Sequence, residues 1–248
     1  MLVAAAVCPH PPLLVPELAA GAANELDELR SACDAAVASL LRAEPDLVVV
    51  VGDAPAVGPF PEGAWGSLAS YGVDFPPPPS PHQPRSSSRG SDPPAPTLPL
   101  ALTIGRWLLD RQESPPQPLC FGISADSSAE RCRALGATLA DRATRVAMLV
   151  MGDGSARRSL KGPGYLDDRA QPYDESVSRS LAAADTQALL ELDVELSADL
   201  LVAGRASWQL LAGAAEDGRW SGQVTFDRAP YGVSYLVATW SADRAAAR

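Results

Sequence analysis

Five consecutive apolar residues, Leu47-Val48-Val49-Val50-Val51, closed by Gly52 and Asp53, limit the fold of this chain more than any other feature. Valine is stiff at χ1 and suits a pleated strand better than a helix. Because no polar residue alternates with the valines, neither face of this strand is expected to meet water. That is the pattern of a central, parallel strand covered on both sides. Residues 3–8, stopped by Pro9 and Pro11, and residues 145–151, stopped by Gly152, repeat it. Residues 118–124 read as a fourth strand.

Between these runs the apolar period lengthens to three or four. In residues 21–43, Leu26, Leu29, Cys33, Val37 and Leu40 form one stripe, with Glu25, Asp27, Glu28 and Arg30 between them, which predicts a helix. The same periodicity predicts helices over 100–111, 129–140, 174–184, 186–192, 195–202 and 206–215. Strands at 221–227 and 231–240, joined by a short turn around Ala229 and Pro230, predict a hairpin. The fold class is therefore α/β: a central, mostly parallel β-sheet flanked by helices, with a C-terminal β-hairpin at its edge. A length of 248 residues suits a single domain.

Residues 75–99 interrupt this order. Their ten prolines, interleaved with serines, offer few ladder donors and no helix, so the stretch reads as an extended surface insertion. No apolar run reaches the ~18 residues of a membrane span. The apolar start lacks basic residues and runs into prolines, unlike a signal peptide, and the chain is expected in the cytoplasm. A net charge of −10 repels a phosphate backbone, which argues against nucleic acid as a partner. Cys8, Cys33, Cys120 and Cys132 form no CxxC pair and read as buried free thiols.

Open α/β sheets bind ligands beyond the carboxyl ends of their parallel strands. Three such ends carry polar residues: Cys8-Pro9-His10-Pro11, Gly52-Asp53-Ala54-Pro55 and Gly152-Asp153-Gly154-Ser155-Ala156. His10, Asp53 and Asp153 are expected to share one crevice as catalytic candidates, with His10 as the candidate metal ligand. Ser155 and Arg205 are the candidate substrate-binding residues. Each has a structural alternative. Asp53 and Asp153 suit acceptance from backbone N–H groups of nearby turns, His10 a loop carbonyl, and Arg205 a buried ion pair. Arg157, Arg158 and Lys161, beside several glycines, form a basic cluster that suits an anion or a solvated loop. His82 lies within the proline-rich insertion.

The order of these features carries a resemblance. A strand ending in Pro9-His10, a long helix, a valine-rich strand ending in a glycine turn, a later strand ending in Asp153-Gly154-Ser155, and Val202-Ala203-Gly204-Arg205 follow one another at suitable spacing. Over nearly its full length the chain resembles the class III extradiol dioxygenase (LigB) and Memo-like superfamily. Active dioxygenases of that kind hold Fe(II) with two histidines from the first two strand ends and a glutamate. A further histidine in the Asp-x-Ser-His turn acts as acid and base.

Carried over position by position, only His10 matches a metal ligand. Ala54, or its neighbour Pro55, stands at the second histidine, Ala156 at the acid–base histidine, and Ala203 where Memo-like members have cysteine. Glu216 is the nearest candidate for the glutamate. Alanine has no lone pair to offer, so a three-ligand iron site is not expected at these positions. The resemblance thus implies the fold, no resident cofactor, and a crevice for a small molecule or a protein in place of standard ring cleavage. The alternative is a ring-opening dioxygenase or other non-haem metal enzyme, using Fe(II) or another divalent metal at a site rebuilt around His10, Asp53 and Asp153. Homo-oligomers are common in the superfamily and are expected here.

Overall fold

The computed structural model describes residues 1–73 and 97–242. The strands are β1 (Leu2–Cys8), β2 (Leu47–Asp53), β3 (Gly58–Pro59), β4 (Trp65–Gly66), β5 (Thr97–Leu98), β6 (Leu119–Ile123), β7 (Val146–Met151), β8 (Trp220–Arg228) and β9 (Tyr235–Ala242). The helices are α1 (Pro16–Ala19), α2 (Asp27–Leu41), α3 (Leu100–Asp110), α4 (Ala129–Ala140), α5 (Ala170–Ala183), α6 (Thr186–Leu190), α7 (Val194–Asp199) and α8 (Arg205–Ala215). Seven strands form one sheet in the order β3-β6-β2-β7-β1-β9-β8. The pairs β1–β7, β7–β2 and β2–β6 are parallel, whereas β9, β8 and the short β3 run antiparallel to their neighbours.

The apolar runs are buried on both faces, as their lack of alternation requires. Val49, Val51, Met148 and Val150 join the core beneath α4, α5 and α8. Val48, Val50, Leu149 and Met151 join the second core beneath α2 and α3. Each such side chain withdrawn from water contributes about 1.5–3 kcal/mol before the entropy of ordering is set against it. Helices α4 and α8 pack backbone to backbone. A Cβ on Gly136 would stand 2.0 Å from the Leu210 carbonyl oxygen, and one on Gly213 would stand 2.3 Å from that of Arg133.

Three details depart from the sequence reading. Residues 20–26, expected to open the first long helix, form a 3-10 segment, and α2 starts only at Asp27. Gly21 and Asn24 are poor helix formers. The hairpin expected to turn at Ala229 and Pro230 has a longer connection, and β9 begins at Tyr235. Its backbone groups are taken by the loop after β7: Arg158 N–H donates to the Gly232 carbonyl, and Ser234 N–H to that of Ser155. These bonds replace the hairpin ladder over residues 231–234. Most of the insertion expected at 75–99, His82 included, lies outside the described residues. Its end does not belong to it: Thr97 and Leu98 pair with Trp65 and Gly66, and the carbonyls of Leu98 and Pro99 accept from the Thr103 hydroxyl of α3.

The four cysteines are free and buried. Among the described residues, no helix is long and apolar enough to cross a membrane.

Candidate functional site at the strand ends

Strand β7 is inserted between β1 and β2, so three neighbouring strands deliver their carboxyl ends side by side. His10, Asp53 and Asp153 meet there. The His10 backbone N–H donates to Asp153 Oδ1 at 2.8 Å, which pins the turn that carries the imidazole. The ring itself is buried, and its Nδ1 lies 3.6 Å from the same oxygen, too far for a hydrogen bond. Among the described residues, Nδ1 has no hydrogen-bond partner. A buried polar atom without a partner is uncommon and marks a place to look for a ligand.

Asp53 lies near enough to feel the charge of His10. Strand alternation places it with Val49 and Val51 on the face of α4 and α8. Burial raises its carboxyl above the usual range. The charge of His10 and the N–H groups of Ala125 and Ala54 oppose that rise without cancelling it. Both aspartates accept backbone N–H groups, but beyond Ala54 these belong to distant loops, His10 for Asp153 and Ala125 for Asp53, and not to the turn that follows each. Ala54 is buried and packs over Gly122 of β6, where a Cβ would come within 2.6 Å of its own.

The side chains of Ser155 and Arg205, expected to bind substrate, are engaged by other partners. The Ser155 hydroxyl donates to Asp174 Oδ2 at 2.6 Å and its N–H to Oδ1 at 2.8 Å, with the residue fully buried. It fixes the turn after β7. Arg158 joins the same carboxylate at 3.1 Å, so this member of the basic cluster is neither free for an anion nor fully solvated. Burial raises the Asp174 carboxyl, and the Ser155 and Arg158 bonds hold it back. Sequence reading passed over Asp174. The signal was its place on the buried stripe of α5, next to Tyr173 and three residues before Val177.

Arg205 makes no ion pair among the described residues. Its guanidinium donates to the carbonyls of Ser127 at 2.9 Å and of Ala125, and to Gln209 Oε1 at 2.6 Å. It positions the loop after β6 whose Ala125 N–H serves Asp53. Glu216, the candidate for a missing glutamate, lies at the far end of α8 and pairs on the surface with Arg133 at 2.6 Å.

Iron held by three protein side chains does not fit this donor set. Among the described residues, no group of three or more His, Cys, Asp or Glu side chains is arranged to hold a metal ion. Ala54, Ala156 and Ala203 offer no donor side chain. What the arrangement presents is one imidazole near two carboxylates, able to exchange hydrogen bonds with a polar group placed against it.

No protein-family model matches this chain, and no curated protein matches it. A solved structure that does is the crystal structure of the uncharacterized protein JW3007 from Escherichia coli K12, 16% identical, with 96% of this chain and 99% of that chain covered at a TM-score of 0.57. That likeness speaks for the α/β fold.

Proposed function

We propose that this chain is an extradiol dioxygenase-like protein without standard ring-cleavage activity, and that it uses the crevice around His10 to bind a small polar molecule. The observation that carries the reading is the His10 ring. Asp153 holds its backbone, Asp53 lies near enough to feel its charge, and the ring keeps a buried nitrogen with no partner among the described residues, at the strand ends where α/β sheets bind ligands. Alanines at positions 54, 156 and 203 support the absence of ring cleavage. The cytoplasm suits a chain with four free, buried cysteines.

Two measurements test it. Screening small polar compounds against the ring resonances of His10, which shares the spectrum with only one other histidine, His82, should yield compounds that shift His10 saturably. Weaker binding is expected in Asp153→Asn. Failure of every compound to move His10 would remove the crevice reading. Anaerobic loading with Fe(II), followed by elemental analysis and incubation with catechol and dioxygen, should give neither stoichiometric iron dependent on His10 nor ring-opened product. Iron at one equivalent that is lost in His10→Ala, with turnover, would establish the metal enzyme instead.

A further inference from the structure

Tyr235 opens β9 beside the His10 crevice. The residue before it is tied to the segment that follows Asp153: Gly154 N–H donates to the Ser234 carbonyl at 2.8 Å, and Ser234 N–H to the Ser155 carbonyl at 2.8 Å. Tyr235 and Cys33 of α2 both belong to the second core, beneath α2 and α3. Burial is the main reason that the Tyr235 hydroxyl and the Cys33 thiol lie above their usual ranges, and the Asp153 charge is a further cause in both. The Asp153 carboxylate is thus on the α2 side of the sheet, near enough to act on the phenol. A phenol raised in this way keeps its proton at neutral pH and can donate or accept.

Three acceptors are left over here. Asp153 Oδ1 takes the His10 backbone N–H, whereas Oδ2 makes no hydrogen bond among the described residues. His10 Nδ1, 3.6 Å from Oδ1, has no partner among them. The Tyr235 hydroxyl has none either and keeps contact with solvent. Asp153 keeps 15% of its side-chain surface and His10 9%, so the cluster opens onto solvent and is not closed over by packed protein. The electrostatics are one-sided. The charged side chains that act on Tyr235, Cys33 and Asp53 are Asp153, Asp34 and Asp126, with His10 as the one cation. Asp34 is paired with Arg111, but Asp53 and Asp153 have no lysine or arginine partner among the described residues. Two carboxylates against a single imidazole leave the crevice negative whichever form His10 takes. Charge withdrawn from water is ordinarily paired with an opposite charge.

From these groups we infer that the His10 crevice binds a small amine, whose primary ammonium group donates to Asp153 Oδ2, the Tyr235 hydroxyl and His10 Nδ1. This inference deepens the crevice reading and rests on it, naming the class of the polar molecule and adding Tyr235 to the residues that touch it. An ammonium brings three N–H donors, no acceptor and one positive charge, which matches three free acceptors and a surplus of carboxylate. A hydroxyl group has a single hydrogen to give, and a carboxylate or phosphate would be repelled by Asp153. The chain's net charge of −10 favours the approach of a cation from a distance.

The test uses ethylammonium as the probe, with ethanol as a neutral control of similar size and acetate as an anionic one, each titrated at fixed pH and ionic strength. Movement of the His10 ring resonances reads binding and gives the affinity. Saturable movement by ethylammonium is expected, with an affinity at least about ten-fold above that for ethanol or acetate. Tyr235→Phe keeps the ring in the core and should weaken ethylammonium about ten-fold through loss of one charge-assisted bond. Asp153→Asn keeps an acceptor for the His10 N–H and should abolish the preference for ethylammonium over ethanol. The comparison of probes on the unaltered protein decides the matter even if a variant fails to fold. Ethylammonium that does not move His10, or moves it no more tightly than ethanol, overturns the inference, as does unchanged affinity in folded Tyr235→Phe and Asp153→Asn. Failure of ethylammonium with His10 still moved by other compounds leaves the crevice reading intact. No movement of His10 by any compound removes both.

Discussion

Replacing Gly136 with alanine sets two effects of opposite sign against each other at the α4–α8 contact. Within a helix the substitution gains about 1 kcal/mol of intrinsic propensity. Here the new Cβ would lie 2.0 Å from the Leu210 carbonyl oxygen and 2.7 Å from the Ala214 nitrogen. Ordinary contact begins at 3.4 Å, so α4 and α8 must separate by roughly 1.4 Å along that line. No rotamer change relieves it, because both contacted atoms are backbone. Overpacking of this kind costs about 1–3 kcal/mol, and a clash with rigid backbone belongs at the upper end. Separation also opens the reciprocal contact of Gly213 on Arg133. The net expectation is a loss of about 2 kcal/mol, or some 4–8 °C in Tm for a chain of this size. Urea unfolding followed by far-UV circular dichroism measures it, with an unchanged m-value showing that the denatured state is not the cause. Equal or greater stability in the variant would refute the close approach, because propensity alone would then account for the result. Gly21→Ala, at a glycine with nothing within 4 Å of its Cβ position, is the control and should be neutral or slightly stabilising.

Asp174→Ala should destabilise by about 3 kcal/mol, read from the same urea curves, because the Ser155 N–H and hydroxyl and the Arg158 guanidinium all lose their acceptor. A loss below about 1 kcal/mol would mean that the turn after β7 is held by its backbone bonds alone. Asp53 has a folded-state pKa raised above 3.8 by burial, so its ionisation disfavours the fold as pH rises through the folded value. Asp53→Asn should therefore improve Tm relative to wild type more at about pH 7 than at about pH 3.5; the reverse trend would show that the His10 charge outweighs burial. Arg228→Ala breaks an exposed pair with Glu28 and should change stability by no more than about 0.5 kcal/mol. A larger loss in thermal unfolding would point to the packing of its stem on Phe226.

Most of the element order was legible in the sequence. Unbroken apolar runs must be strands covered on both faces, and the three-to-four residue stripes between them must be the covering helices. The convergence of His10, Asp53 and Asp153 followed from the same pattern, since parallel strands present their carboxyl ends together. Where local preference was the whole signal, the reading stopped short. Residues 20–26 took a 3-10 form, and the loop at 229–234 gave its backbone bonds to the distant segment that follows β7. No turn propensity encodes such a partner.

Side-chain roles divide along the same line. Composition and spacing determined which residues could serve: a histidine after the first strand, aspartates after two later ones, and an arginine opening a helix. Only the tertiary structure decided what each touches. Ser155 is claimed by Asp174, Arg205 by carbonyls of the loop after β6, and Ala54 by Gly122 on a different strand. Hydrogen bonds over long sequence separation form wherever packing brings donor and acceptor within about 3 Å.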